Sequence, residues 1–401
     1  MPKLLLINSV LNYTSTGKIT ELTGRAAVKE GWEVIVAYGR REVNSQLNYY
    51  RIDNKIENYW HGLMSAVFDN QGLSSSYATR RLIRFIEQFG PDVVHLHNLH
   101  GHYINIKILF EYLNKTEIKV VWSLHDCWAL AGHCTHFVRT NCDKWLTGCG
   151  HCPQKKYYPK SFFFDQSARN YRIKKALVES NHNLHIVGAS SWICDMVNKS
   201  YMKNARVHKI FNGIDTTVFH PTCGKIEGKI RVMGIANGWG VSKGLHDYFK
   251  LRSMLDPSRY EIILVGLNDE HIAQVPEGII AVKRTDTIEE LMERLLDLYS
   301  SCDAVLNLSY ADTFPTTNLE ALACGTPVIT YNTGGCPDAV DDYTGIVVQQ
   351  GDINAIVDAI KEVESKGKGY YTEACRNRAV KEFNKEIQYI KFVKLYEEII
   401  K

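Results

Sequence analysis

No run in this chain approaches the ~18–20 consecutive apolar residues that a membrane-spanning helix needs. The opening "MPKLLLINSVLNY" holds an apolar run of about five, shorter than the roughly 7–15 of a signal-peptide core, and reads as a buried first strand. Net charge is also scarce. Against 47 lysines and arginines stand 44 acidic residues, a formal +3, too little to imply nucleic acid as a partner. There is no G-x-G-x-x-G fingerprint and no G-x-x-x-x-G-K-[ST] loop, which removes the dinucleotide and Walker-type phosphate readings. Low-complexity tracts and short-period repeats are missing as well. These absences predict a cytoplasmic protein, where thiols stay reduced and disulfides are disfavoured.

What is present points to two α/β domains. At 401 residues the chain exceeds one ordinary core. Its 45% hydrophobic and 23% charged content is that of a soluble globular protein. Short apolar runs ("KLLLINSV", "EVIVAYG", "DVVHLH", "KVVWSLH", "LHIVGAS", then "IRVMGIAN", "EIILVGL", "IIAVKR", "DAVLNLS", "PVITYN") alternate with helical patterns such as "TIEELMERLLDLYSS" and "NAIVDAIKEVESK". The runs are continuous and β-branched rather than alternating, which suits parallel strands buried on both faces. Two doubly wound, Rossmann-like domains facing across a cleft are the expected architecture. Their boundary falls near "FNGIDTTVFHPTCGKIEGK", giving domains 1–212 and 213–383.

In open parallel sheets, ligands bind beyond the carboxyl ends of strands, so the residues just after each run are the candidates. "NSVLNYTSTGKITEL" places Gly17 and Lys18 at a helix opening, where amides favour an anion. "VVWSLHD" puts His125 and Asp126 at a strand end. "HLHNLHGHY" adds His95 and His97, which alternation puts on one side of their strand as packed residues without a role. In "NGWGVSKGLHDYF", Lys243 sits where a helix begins and can neutralise phosphate charge. The most informative stretch is "SYADTFPTTNLEALACGTPVITYNTGG": Asp312 lies in a loop, Phe314, Pro315 and Thr316 at a helix entrance, and Glu320 eight residues on, inside the helix.

Taken together, "STGKITEL", "SLHD", "GASSWICDMV", "IFNGIDTTVFHP", "SKGLHDYF" and "DTFPTTNLEALACGTPVITYNTGG" resemble the retaining glycosyltransferases of family four, with the GT-B fold. The resemblance covers nearly the whole chain. It implies that Glu320 binds the ribose of a nucleoside diphosphate sugar and that Asp312 contacts donor-sugar hydroxyls, with amides near Phe314 and Pro315 assisting. It implies that Lys243 neutralises the departing diphosphate, that His125 lies near the reacting sugar and that Gly17 sits by the phosphates. The helix of about residues 384–401 would pack back on the first domain. UDP is the expected nucleotide. Two departures stand out: Asp312 shortens the family's usual glutamate, and the family's arginine before the lysine falls on Asn237 or Trp239. No D-x-D occurs, so the design in which a chelated divalent metal holds the diphosphate is not expected.

"HCTHFVRTNCDKWLTGCGHC", residues 133–152, gathers four of the chain's 11 cysteines. Cys134, Cys142, Cys149 and Cys152 form a candidate structural zinc site, with the C-x2-C end as a half-site. The x7 and x6 gaps leave free structural thiols or disulfides as the other readings. With "CPQKKYYPKS", the stretch resembles a polysaccharide-biosynthesis (colanic acid-type) subgroup, which implies a role in surface polysaccharide, exopolysaccharide or capsule assembly and a glycan or lipid-linked acceptor. Residues 155–175 then interleave Lys155, Lys156, Lys160, Arg169, Arg172, Lys174 and Lys175 with tyrosines and phenylalanines, a composition that suits peripheral contact with an anionic membrane. The competing functions are a sugar-nucleotide epimerase or hydrolase on the same fold, and a non-catalytic, zinc-stabilised sugar-nucleotide-binding protein.

Overall fold

A computed structural model of the chain describes residues 1–222, 228–283 and 288–401. Residues 223–227, within the boundary stretch, and 284–287, which include the end of "IIAVKR" and the start of "TIEELMERLLDLYSS", lie outside the described residues. The chain divides into two units, Met1–Phe211 with Gln388–Lys401, and Asn212–Ile387.

In the first unit the strands are β1 (Lys3–Asn8), β2 (Glu33–Tyr38), β3 (Asn48–Arg51), β4 (Val93–Leu96), β5 (Lys119–Leu124), β6 (Leu184–Gly188) and β7 (Arg206–Lys209). They form one sheet in the order β3-β2-β1-β4-β5-β6-β7, every neighbouring pair parallel. The continuous apolar runs follow from two-sided burial. Leu5 and Ile7 of β1 enter one core with Val94, Leu96, Val120 and Trp122. Leu4 and Leu6 enter the other, with Val93, Val121, Phe392 and Tyr396. The last two come from the helix Lys385–Ile399, whose residues from Gln388 onward belong to this unit.

In the second unit, β8 (Ile230–Ile235), β9 (Tyr260–Leu267), β10 (Ile279–Lys283), β11 (Ala304–Asn307), β12 (Val328–Tyr331) and β13 (Gly345–Val348) form a sheet ordered β10-β9-β8-β11-β12-β13, again all parallel. Each sheet reverses winding direction once, between β1 and β4 and between β8 and β11. Crevices beyond the carboxyl ends of strands at such reversals are where open α/β sheets bind ligands.

One glycine sets the local course of the chain there. Gly244 has φ +67°, and a Cβ added to it would lie 2.2 Å from the Leu308 carbonyl oxygen just past β11. Only a residue without a side chain lets the turn Val241–Lys243 settle onto that strand end, where the Tyr310 N–H donates to the Ser242 carbonyl at 2.9 Å. Gly244→Ala is expected to destabilise the second unit by more than the ~1–3 kcal/mol of the backbone conformation alone. Gly367→Ala is the control: its φ is +74° but open space surrounds it. Urea unfolding should rank Gly244→Ala well below Gly367→Ala. Equal midpoints would mean that the Leu308 contact does not constrain the turn.

Candidate active site

At the β8/β11 reversal the second unit brings three elements together. The turn after β8 carries Lys243, the loop after β11 carries Asp312, and the helix Thr316–Ala323 carries Glu320. Lys243 Nζ and Asp312 Oδ2 are 2.6 Å apart, with side chains 33% and 18% exposed. The Asp312 loop is held from behind. Gly335 N–H donates to the Asp312 carbonyl at 3.2 Å, and a Cβ on Gly334, at φ +54°, would lie 1.8 Å from that oxygen. The "TGG" glycines therefore act as the bed of the loop. From β11, Asn307 Nδ2 donates to Asn318 Oδ1 at 2.7 Å, pinning the first helical turn to the sheet.

Phe314 and Pro315 are buried, and Thr316 is half-buried. Pro315 is the N-cap residue and makes no side-chain cap, which suits the first-turn amides to an anion or a hydroxyl. Glu320 Oε2 accepts from the buried Tyr299 hydroxyl at 2.8 Å, so its carboxylate is oriented from the core side. The sequence contains no sign of this tyrosine's role, because Tyr299 lies in another helix. Of the two positions aligned with the family's arginine, Trp239 is buried, its indole N–H bound to the Val265 carbonyl at 2.9 Å, and Asn237 is exposed.

At the β1/β4 reversal the first unit presents a histidine cluster. His97 Nδ1 and His125 Nε2 are 3.0 Å apart, and their rings stack. His97, expected to be packed without a role, is buried and is also the direct partner of His125. His95 is buried as well, held by the Tyr396 hydroxyl at 2.6 Å and the Ser123 hydroxyl at 2.8 Å. Asp126 accepts from His100 Nε2 at 2.7 Å and from the Trp128 N–H at 2.8 Å, while His100 Nδ1 meets the Tyr158 hydroxyl at 3.0 Å. Burial raises the Asp126 carboxyl, but His100, together with His136 and the Trp128 N–H, more than reverses this and holds it at about 2. His125 is pushed down to about 4, by burial first and by His100, with Asp126 opposing. It is a neutral imidazole at pH 7.

Gly17 is not at the helix opening. The helix begins three residues earlier, at Thr14, and the Gly17 N–H is already given to the Tyr13 carbonyl at 3.1 Å. Its bare Cα instead permits close approach to the Asn12 backbone, 3.2 Å from where a Cβ would stand. The amides with no acceptor in a preceding turn are those of Thr14 to Thr16.

The four cysteines come together but do not form the expected zinc site. Cys134, Cys142, Cys149 and Cys152 line one small cavity with His133, Phe137 and Trp145. Among the described residues, however, no three His, Cys, Asp or Glu side chains are grouped to hold a metal ion, and the described cysteines are free thiols. Cys149 Sγ accepts from the Gly132 N–H at 3.2 Å. His133, which also lines the cavity, meets Asp69 through Nδ1 at 2.6 Å. The basic stretch after the cluster is also less uniform than its composition suggests. Lys174 is buried, donating to the Trp128 and Ala131 carbonyls at 2.7 and 2.8 Å, and Tyr171 beside it is buried too.

The histidines make the first unit acid-sensitive. Burial above all holds His61 at about 3, His102 and His185 at about 4, and His95 and His97 well below the ordinary value. Each depressed group stabilises the fold above its unfolded pKa near 6.5, and that contribution is lost as pH falls toward the folded value. At most each costs about 1.4 kcal/mol per pH unit. Two groups work in the opposite sense: His133, which burial lowers but Asp69, with Cys152, raises, and Asp53, which burial first and then Glu57 raise to about 7. The majority decides the sign. The thermal midpoint of the first unit should fall steeply between pH 6.5 and 4, measured by tryptophan fluorescence. A flat or rising midpoint there would contradict these assignments.

Residues 18–218 match the family described as Glycosyltransferase Family 4, and residues 280–382 match Glycosyl transferases group 1. The chain is 24% identical over 286 residues, 68% of its length and 67% of the other's, to WcaC of Escherichia coli K12, named for glycosyl transfer in colanic acid biosynthesis. Among solved structures it is similar to sucrose-phosphate synthase of Thermosynechococcus elongatus, with TM-score 0.72, 16% identity, and 100% and 99% of the two chains covered. It is also similar to HepE of Anabaena in complex with UDP-glucose, with TM-score 0.64, 14% identity and 99% of each chain covered.

Proposed function

We propose, for a chain that belongs to glycosyltransferase family 4 and has the two parallel-sheet α/β domains of the GT-B fold, that it moves a sugar with retention from a nucleoside diphosphate to a glycan or lipid-linked acceptor in polysaccharide biosynthesis. The observation that carries the donor assignment is the Lys243–Asp312 pair, 2.6 Å apart, at the strand ends where the second sheet reverses. An ammonium fixed there compensates charge on a departing diphosphate without a chelated divalent metal. Glu320, oriented by Tyr299, takes the ribose diol. Asp312 holds Lys243 and offers its remaining acceptor capacity to donor-sugar hydroxyls, with the amides at Phe314 to Thr316 beside it. The similarity to a protein solved with UDP-glucose makes UDP-sugars the donors to test first, and the similarity to WcaC supports an exopolysaccharide acceptor.

In the reaction the bond from the sugar's anomeric carbon to the diphosphate oxygen breaks. A bond to the acceptor oxygen forms on the same face, and the acceptor's proton passes to the leaving phosphate. No carboxylate is assigned as a nucleophile; positioning and charge compensation carry the acceleration. In the first unit, the neutral His125, braced by His97, suits a hydrogen bond to an uncharged sugar hydroxyl.

The test is a panel of sugar nucleotides with oligosaccharide and lipid-linked acceptors, read by proton NMR at the anomeric position. Transfer with the donor's configuration retained is the expected result. Hydrolysis or epimerisation that does not depend on acceptor would favour the alternative enzymes. Binding without any turnover would favour a sensor.

A further inference from the structure

The helix Lys55–Phe68 is inside out. Ile56, Tyr59, Trp60 and Leu63 repeat at three- and four-residue spacing, the pattern that normally faces a core. Here they are 81%, 79%, 59% and 53% exposed. The opposite face is polar and buried. His61 Nδ1 meets the Ser75 hydroxyl at 2.8 Å, the Gly72 N–H donates to His61 Nε2 at 3.2 Å, and Asn58 Nδ2 donates to the Gly39 carbonyl at 3.1 Å. Asn54 caps the helix start through the Ile56 and Glu57 amides. The helix is therefore held in place by its polar side, and its apolar stripe is left outward.

A second segment extends that stripe. Phe162 and Phe164 donate their backbone N–H groups to the Ala66 and Val67 carbonyls at 2.7 and 3.2 Å, and the rings of Phe68 and Phe164 stack at 5.5 Å. Phe162, Phe163 and Phe164 are 60%, 72% and 49% exposed. Contiguous apolar surface of this kind marks an interaction site on a soluble domain.

We propose that this face docks the protein on an anionic lipid bilayer, with Trp60 and Phe163 entering the headgroup layer and Lys155, Lys156 and Lys160 at its edge. Charge complementarity selects this occupant. Those lysines flank the phenylalanine segment, and Lys155 Nζ is tied to the Phe163 carbonyl at 3.1 Å, so cationic and aromatic groups are presented together. On the helix, Glu57 is engaged by Asn54 Nδ2 at 2.9 Å. Asp165, next to the phenylalanines, is turned to the Cys152 and Ser167 amides and the Ser167 hydroxyl. A second copy of the same face would oppose lysine to lysine, whereas anionic headgroups match them. No helix among the described residues is long and apolar enough to cross a membrane, so the contact is interfacial, reaching about 5–10 Å into the surface. The proposal does not rest on the transferase reading.

Flotation of the full chain with vesicles of phosphatidylcholine alone and of phosphatidylcholine with phosphatidylglycerol tests it. Binding is expected only to the anionic vesicles and should weaken at high salt. Changing Lys155, Lys156 and Lys160 to Gln should lower the partition coefficient by about two orders of magnitude, at about fivefold per lysine. Trp60→Ser with Phe163→Ser should abolish binding at an unchanged thermal unfolding midpoint. Brominated lipids should quench tryptophan fluorescence in the wild type and markedly less in Trp60→Phe, which keeps the aromatic bulk. Failure of the wild type to float with anionic vesicles overturns the proposal. So does quenching unaffected by Trp60→Phe, or a concentration-dependent dimer in sedimentation velocity that Trp60→Ser disrupts while vesicle binding is absent.

Discussion

Glu320→Ala is expected to weaken binding of the nucleoside diphosphate sugar by about ten- to a hundredfold, while the protein stays folded. The carboxylate projects from a helix whose first turn is pinned by Asn307 and Asn318, and its Oε2 is fixed by the Tyr299 hydroxyl at 2.8 Å. Under the proposed function, this carboxylate takes the vicinal hydroxyls of the ribose. Losing a hydrogen bond to a charged group costs about 1.5–3 kcal/mol. Tyr299→Phe should reproduce part of the effect, since it removes one hydrogen bond that orients the carboxylate without removing the carboxylate. Competition binding with a fluorescent donor analogue measures both. An unchanged affinity in Glu320→Ala would remove the ribose assignment, and a loss for Tyr299→Phe exceeding that of Glu320→Ala would shift the role to the tyrosine.

Lys243→Ala should lower turnover at saturating donor by about 10²–10³-fold and donor affinity by much less. The ground-state diphosphate already carries most of its charge. The extra charge that develops as the sugar departs appears in the transition state, and an interaction with it is read in kcat. Asp312 makes the distinction sharper. It holds the ammonium at 2.6 Å, so Asp312→Asn should leave Lys243 present but less well placed, with an intermediate loss. Collapse of donor affinity with kcat preserved in Lys243→Ala would make the lysine a ground-state anchor instead.

Most of the strands legible in the sequence are those whose burial is two-sided; β10, an edge strand with one fully buried residue, was legible from its apolar run alone. Strand β1 feeds Leu5 and Ile7 to one core and Leu4 and Leu6 to the other, so it must be apolar throughout and is recognisable alone. Strands β3 and β7 are edge strands, "NYYR" and "RVHK", mostly exposed or half-buried, and carry no apolar run to find. Helix Lys55–Phe68 escaped for the opposite reason: its apolar periodicity is real but faces outward, so no core explains it.

At the candidate site, residue types and spacing pointed to Lys243, Asp312 and Glu320 because strand ends and helix starts are visible in one dimension. Tyr299 and His97 act across elements, and Asn318 through a side-chain bond to a neighbouring strand, which spacing along the chain does not encode. The cysteine cluster shows the limit of spacing in the other direction. Four thiols line one cavity, yet among the described residues no three His, Cys, Asp or Glu side chains are grouped to hold a metal ion, because spacing along the chain sets which residues are neighbours and not whether their sulfurs converge on one point.

The most direct test of the central claim is amide hydrogen exchange of the full chain with and without UDP, resolved by peptide. Protection on addition of UDP is expected in the segments around Lys243–Gly244 and from Asp312 through Glu320, with none in 155–164. The Glu320→Ala and Lys243→Ala chains should need more UDP to reach the same protection. Protection confined to other segments, or none at saturating UDP or any other nucleoside diphosphate, would contradict the placement of the donor site at the β8/β11 reversal.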